Sequence, residues 1–337
     1  MSKTVDEIAK LAGVSVTSVR LVINGQHKKY RISEKTRSKI QGIIDEHGYV
    51  INQTARSLKL KKTQTLGLVV PRLTNPFFSA LTEELERGCR KAGYQLITAC
   101  SDDDEDIETE VVQNLLMRDV DGLFVTPSTA ERQQIIGNNK QKKPIVLLDR
   151  DFGTSECPVV ATDNDAGGMR VGEKLAQLNT ELFFLGADFS LPTAQARLQG
   201  LTRGLSQKGY TLTENEIIIQ GKSERKNGYR IMKQLCERLG QIPPAIVSVS
   251  LPVLEGAMEF LHQHYGNVPA DMVIGSFDDH PMLEFCQNHV VAMKQNIPAL
   301  SGSALTLMQQ LINGEVVNKR RYIIMPEIVV RESLSKG

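Results

Sequence analysis

The stretch Thr4-Val-Asp-Glu-Ile-Ala-Lys-Leu-Ala-Gly-Val-Ser-Val-Thr-Ser-Val-Arg-Leu-Val-Ile-Asn24 holds two short helical patterns on either side of one glycine. Ile8, Ala9 and Leu11 are expected on one face of the first helix. Gly13 permits a sharp turn, and Ser15 is placed to cap a second helix whose apolar residues are Val19, Val22 and Ile23. A helix braced by another in this way is the usual means of entering a DNA major groove. A third helix is expected over residues 33–47, capped by Ser33, with Ile40, Ile43 and Ile44 inward.

The charge distribution agrees. The chain has 337 residues and a net charge of +1, but residues 1–62 carry thirteen Lys/Arg and five Asp/Glu, a net +8, and the rest is −7. A basic head on an acidic body predicts a nucleic-acid partner for the head and a separate second function behind it. At 41% hydrophobic and 23% charged residues the chain is an ordinary globular protein, long enough for two or three domains. Its cysteines, Cys89, Cys100, Cys157, Cys236 and Cys286, are odd in number and lack zinc-ligand spacing, so free thiols in a reducing compartment are expected. No apolar run approaches membrane length, and the helix–turn–helix occupies the place of an export signal. The expected location is the cytoplasm, with no membrane partner.

Beyond residue 50 the pattern changes. Residues 50–62 form a basic linker with one or two helical turns over 53–60. Strands are then expected at 66–70, 95–100, 122–126 and 144–149, alternating with helices at 77–92, 105–118 and 133–139. The alternation restarts near 160, with strands at 159–162, 182–185, 216–219, 245–249 and 272–277 and helices at 166–177, 194–208, 226–239, 253–264 and 282–287. Residues 300–313 read as a further amphipathic helix, where the chain crosses back to the first lobe. Two consecutive α/β lobes suggest a bilobed binding protein, with its ligand in the cleft at the carboxyl ends of the strands.

Several ordered motifs resemble the lactose/galactose-repressor (LacI/GalR) family. They are Asp6-Glu-Ile-Ala-Lys-Leu-Ala-Gly-Val-Ser15 with Ser18-Val19, Val22-Ile-Asn-Gly25, Ile32-Ser-Glu-Lys-Thr-Arg37, Gly48-Tyr49 and the hinge Asn52-x-x-Ala55-Arg-Ser-Leu58. Leu66-Gly-Leu-Val-Val-Pro71, Val120-Asp-Gly-Leu123, Leu148-Asp-Arg150, Ala196-Arg-Leu-Gln-Gly200 and Gly275-Ser-Phe-Asp-Asp279 continue the series along the chain. Within the family, Ile23–Ser33, Ser101–Asp106, Leu191–Gly200 and Ser276–His280 are most similar to sucrose-operon repressors, with the fructose repressor (catabolite repressor/activator) type next. The resemblance implies an all-α helix–turn–helix headpiece with a hinge helix, then an α/β periplasmic-binding-protein-like core of two doubly wound parallel-sheet lobes. The implied boundaries are 1–50 for the headpiece and 51–62 for the hinge. The N-terminal lobe takes 63–162 plus about 293–325, and the C-terminal lobe 163–292 plus about 326–337.

For DNA, the resemblance places Val16, Thr17 and Leu21 at base edges, where Val16 suits a thymine methyl group. The alternative for Val16 and Leu21 is packing within the headpiece. Arg20 departs from the small polar residue common at its position and suits a phosphate or a guanine. Lys28, Lys29 and Arg31 suit phosphates, and Asn24 a turn or a phosphate. In the family two hinge helices of a dimer enter the minor groove, which implies a Leu58 wedge between central base pairs and close approach at the small Ala55. The implied partners are a second copy of the chain and a palindromic operator. With no leucine heptad near residue 337, a tetramer is not expected.

For the cleft, strand ends offer Asp149, Arg150 and Asp278, and the resemblance adds Arg197. Carboxylates accept from sugar hydroxyls, and an arginine forks onto hydroxyls, carboxylates or phosphates. Phe77 and Phe78 match aromatic positions near the ligand in relatives, and helix packing explains them equally well. Asp163 and Asp279 read either as ligand contacts or as capping groups. Ser250 stands where the family often has asparagine and Leu251 where it has aspartate, which points away from lactose and galactose and towards fructose or a phosphorylated fructose.

No histidine, among His27, His47, His262, His264, His280 and His289, joins a recognisable triad or metal pair, and no phosphate-cradling loop appears. A regulator released from its operator by a sugar is expected, with no enzymatic activity, metal or cofactor. Three other readings stay open: a corepressor-dependent or dual repressor/activator, a sugar-binding receptor without a DNA role, and an enzyme acting on sugar phosphates, for which no base or nucleophile stands in a recognised setting.

Overall fold

The computed structural model describes residues 3–49, 62–138, 143–153 and 156–333. The chain divides between Thr63 and Gln64 into two compact units.

The first unit holds α1 (Val5–Ala12), α2 (Val16–Ile23) and α3 (Glu34–His47). Each helix opens on a side-chain cap that satisfies an orphan amide. The Thr4 amide donates to Glu7 Oε2 at 2.8 Å within a reciprocal capping box. The Ser18 amide donates to Ser15 Oγ at 3.1 Å and the Thr36 amide to Ser33 Oγ at 3.2 Å. α1 stops at Gly13, whose φ of 67° is a left-handed conformation that a Cβ would disfavour.

The core of this unit is small: Ile8, Ala9, Ala12, Val19, Val22 and Ile40 are buried, with Ile23, Ile43 and Ile44 half-buried against them. Leu11 departs from expectation and is 50% exposed. Positions 8, 9 and 12 share the apolar stripe of α1, and position 11 falls outside it. The expected hinge over 51–62, with Ala55 and Leu58, lies outside the described residues except for Lys62.

The second unit is built on two six-stranded sheets. One contains β1 (Thr65–Val70), β2 (Gln95–Cys100), β3 (Gly122–Val125), β4 (Ile145–Leu148), β5 (Val159–Thr162) and β11 (Arg321–Ile324), in the order β11-β5-β4-β3-β1-β2, all parallel. The other contains β6 (Phe183–Gly186), β7 (Ile217–Ile219), β8 (Ala245–Ser248), β9 (Val273–Ser276), β10 (Val290–Lys294) and β12 (Glu327–Arg331), in the order β12-β10-β9-β8-β6-β7. Only β12 runs antiparallel to its neighbour.

The strands read as nearly unbroken apolar runs because helices cover both faces. In the first sheet Leu66, Leu68, Phe124, Val146, Leu148 and Val160 face one core, and Val69, Leu123, Val125, Ile145, Leu147 and Val159 face the other. The chain passes between the lobes after β5, β10 and β11.

Three short strands, β10, β11 and β12, were not anticipated from the sequence, and the helix expected over 282–287 is a single 3-10 turn, Pro281–Phe285. Pro281 removes an amide donor, and the segment is too short to propagate a helix.

The helix Asn164–Leu175 packs against the helix Pro192–Ser206 with backbones nearly touching. A Cβ on Gly204 would collide with the Met169 carbonyl oxygen, whereas a Cβ on Gly302, in the helix Ile297–Ile312, meets open space. Gly204→Ala is therefore expected to lower unfolding stability by about 2 kcal/mol. Gly302→Ala is expected to raise it by about 0.5 kcal/mol through helix propensity. Urea titration of both variants checks the contrast, and equal effects would refute the close-packed crossing.

Candidate functional site

The first unit presents one polar helix face. Thr17, Arg20 and Asn24 are exposed at spacings of three and four along α2, opposite the buried Val19 and Val22. Val16 and Leu21 are half-buried at its margins, and Val16 packs on the core. Asn24 caps α2, its amide donating to the Arg20 carbonyl at 3.0 Å. Lys28, Lys29 and Arg31 lie exposed in the following loop, where Lys29 Nζ sits 5.7 Å above the Tyr30 ring. Arg31 has a φ of 54°, which turns the chain towards α3. The face combines donors, methyl groups and cations without a carboxylate among these residues.

In the second unit the carboxyl ends of both sheets face a cleft. From the first lobe come Arg72 after β1, Asp103 after β2, and Asp149 and Arg150 after β4. From the second come Ser223 after β7, Ser250 after β8, Asp278 after β9, and Arg197 from the helix Pro192–Ser206. Gln295, in the passage after β10, also lines it. Neither a histidine nor a cysteine does.

The charged groups are held by the fold rather than by one another alone. Arg150 Nη1 donates to Asp103 Oδ1 at 2.6 Å and to the Pro127 carbonyl at 3.3 Å, leaving its Nε buried without a hydrogen bond, 4.0 Å from Asp149 Oδ2. Arg197 Nε donates to Asn164 Oδ1 at 2.7 Å and its Nη1 to the Val249 carbonyl at 2.8 Å, with the guanidinium 5.8 Å from the Phe277 ring. Gln295 Nε2 donates to Asp278 Oδ1 at 2.8 Å. The Leu251 amide approaches Asp278 Oδ2 at 3.5 Å, so this carboxylate stands at the N-terminus of the helix Leu251–Tyr265.

Burial pushes the Asp149 and Asp278 carboxyls above the usual carboxylate range, against the pull of Arg150 on the first and Arg197 on the second. A pocket with such donors and acceptors suits a polyhydroxylated ligand.

All seven residues expected at the cleft from the sequence, Phe77, Phe78, Asp149, Arg150, Arg197, Ser250 and Asp278, line it. Phe77 and Phe78 pack edge to face at 5.0 Å inside the core and also line the cleft wall. The Ser250 hydroxyl is engaged with that of Ser223, and Leu251 is core. Asp163 is a cap, accepting from the Ala166 amide at 2.9 Å, and Asp279 pairs with Arg331 at 2.8 Å.

Sequence reasoning missed Arg72, Asp103, Ser223 and Gln295 as lining residues. Asp103 lies in the acidic run 101–106 that marked the branch of the resemblance. Gln295 follows a strand that no sequence signal announced.

Comparison with known proteins matches residues 4–52 to the model described as bacterial regulatory proteins, lacI family, and residues 66–316 to a periplasmic binding protein domain. The chain is similar to the sucrose operon repressor of Klebsiella pneumoniae, 35% identical over 93% of each chain. It is similar to the Cra transcriptional dual regulator from Pseudomonas putida in complex with fructose 1-phosphate, at 28% identity and TM-score 0.72, covering 80% of this chain and 99% of that one. The Lac repressor dimer bound to operator shares its fold, at 21% identity, TM-score 0.84 and 99% of each chain.

Asp149 offers a test of the buried charge. A carboxyl whose pKa rises on folding contributes stability only at low pH and withdraws it as pH climbs through the folded value. Asparagine keeps its shape and tolerates its left-handed φ of 64°. Asp149→Asn is expected to raise Tm by about 2 °C at about pH 7.5. The gain should vanish by about pH 4, near the unperturbed carboxyl value. Scanning calorimetry at both values checks this, and a variant less stable at the higher pH would refute it.

Proposed function

Given that the chain belongs to the lacI family of bacterial regulatory proteins, we propose that it represses a sucrose- or fructose-utilisation operon and leaves a palindromic operator when fructose or a phosphorylated fructose fills the cleft. It is a sugar-responsive transcriptional regulator, and its relatives are regulators rather than enzymes. The observation that carries the finer reading is the cleft itself: Asp149, Arg150, Arg197 and Asp278 converge on it from both lobes. The relative solved with fructose 1-phosphate supports the choice of sugar.

On DNA, Thr17 and Val16 read base edges from the start of α2, with Leu21 beside them. Arg20 contacts a phosphate or a guanine, and Asn24, Lys28, Lys29 and Arg31 hold phosphates, which supply affinity and salt dependence. Leu58 wedges into the minor groove at the centre of the operator, with Ala55 allowing two hinges of a homodimer to approach. No described helix is long and apolar enough to cross a membrane; the proposed place of work is the cytoplasm, where a DNA-binding regulator meets its operator.

The sign of control follows from differential binding. A sugar that draws the lobes together stabilises the conformation in which it is bound. It releases DNA only if that conformation binds operator less well. The relative named as a dual regulator keeps the opposite sign open, with the sugar acting as corepressor or the protein activating some promoters.

The deciding experiment follows operator binding by fluorescence anisotropy at fixed salt while fructose, fructose 1-phosphate, fructose 6-phosphate, sucrose and galactose are titrated in. Release by one fructose compound, with galactose inert, is expected. Tightening would make the sugar a corepressor, and indifference to every sugar would overturn the effector assignment.

A further inference from the structure

The cleft has a hinged edge and a free edge. The chain passes between lobes after β5, β10 and β11, which lie at or beside one edge of their sheets. β1 and β2 lie towards the other edge of the first sheet, and β7 is the far edge of the second. β1 stands three strand spacings from β5, roughly 14 Å. A contact there has leverage on opening that a contact beside the crossings lacks.

One ion pair spans the lobes at this free edge. Arg72, just after β1, places Nη1 2.8 Å from Oε1 of Glu224, which follows β7. Among the described residues it is the one side-chain ion pair joining the two lobes away from the crossings. Lys226 Nζ lies 2.8 Å from the other Glu224 oxygen, and Lys226 and Arg72 together hold the Glu224 carboxyl below the usual range. A weaker second link lies beside it: Lys222 Nζ donates to the Asp103 carbonyl at 3.5 Å.

Arg72 also faces the ligand space. Its Nη2 donates to the Asp102 carbonyl at 3.2 Å, but its Nε, though buried at the cleft wall, makes no hydrogen bond and lies 3.6 Å from Asp102 Oδ1. A buried nitrogen donor that lacks a hydrogen bond is unfavourable even with the Asp102 carboxylate 3.6 Å away. An oxygen of a bound ligand, whether hydroxyl or phosphate, would satisfy it.

We propose that Arg72 and Glu224 form a latch across the free edge of the cleft, and that Arg72 is a further effector contact, donating through Nε to a ligand oxygen. Ligand binding and lobe closure then reinforce each other at one side chain. The proposal rests on the reading of this cleft as the effector site.

The test uses the full chain and the variants Glu224→Gln, Arg72→Gln and their combination. Titration calorimetry measures binding of fructose and fructose 1-phosphate, and hydrogen exchange follows residues 101–104 and 222–228 without sugar. Glu224→Gln is expected to speed exchange and to weaken binding about fivefold, the scale of one partly exposed ion pair. Arg72→Gln should weaken binding further, and the double variant should match Arg72→Gln alone.

A larger Arg72 effect on fructose 1-phosphate would assign the accepting oxygen to the phosphate, and equal effects would assign it to a hydroxyl. Unchanged exchange with unchanged or tighter binding in Glu224→Gln would overturn the latch. An Arg72→Gln loss no greater than that of Glu224→Gln would overturn the contact. If neither sugar binds the unaltered protein, the effector reading fails, and the exchange rates alone decide the latch.

Discussion

Gln295 accepts from the Thr162 hydroxyl at 2.6 Å and donates to the Asp278 carboxylate at 2.8 Å. Thr162 ends β5 in one sheet, Asp278 follows β9 in the other, and Gln295 sits in the passage between them. This buried relay is one link between the lobes, beside the crossings, and both Gln295 and Asp278 line the cleft. A ligand that bonded to Asp278 would act on a group tied to this relay. A buried polar network of this kind has few alternative arrangements, because each broken bond leaves an unsatisfied group.

The first lobe contains a useful contrast. Glu108 and Arg132 are both buried, but Glu108 accepts from Arg132 Nε at 3.2 Å and from the Ser128 amide at 2.7 Å, a satisfied structural pair. Arg150 is equally buried, yet its Nε has no hydrogen-bond partner, and Asp149 beside it is an unfavourably buried carboxyl. Burial and charge do not distinguish the two pairs; satisfaction does. Incompletely paired groups at the strand ends are the sign of a site prepared for something else to bond. The fold carries their unfavourable burial, and a ligand bonded to them would relieve it.

Much of this was legible in the sequence, for stated reasons. Gly13, Ser15 and Ser33 act locally, through one turn and two caps, and local signals survive folding. The apolar runs 66–70, 122–126 and 144–149 announced strands because a parallel sheet buries both faces. β11 was hidden because only Tyr322 and Ile324 pack inward while Arg321 and Ile323 are exposed, a half-buried pattern in a four-residue strand. Arg72 and Gln295 were missed because their roles depend on partners more than a hundred residues away, Glu224 for one and Thr162 for the other. Leu11 misled because its hydrophobicity outweighed its position in the stripe. The cleft arginines and aspartates came from strand ends and family resemblance together. Neither source could tell that Phe77 and Phe78 serve core and cleft at once.

In the proposed regulator the cleft and the operator favour different conformations of one chain. Linkage makes this reciprocal: if sugar weakens operator binding by some factor, operator must weaken sugar binding by the same factor. The direct measurement is the affinity of fructose 1-phosphate for the full-length protein alone and saturated with operator, by calorimetry in one buffer. The account predicts binding at least about fivefold weaker on the operator complex, the lower end of ordinary allosteric coupling. Measurable binding with identical affinity in the two states would contradict it.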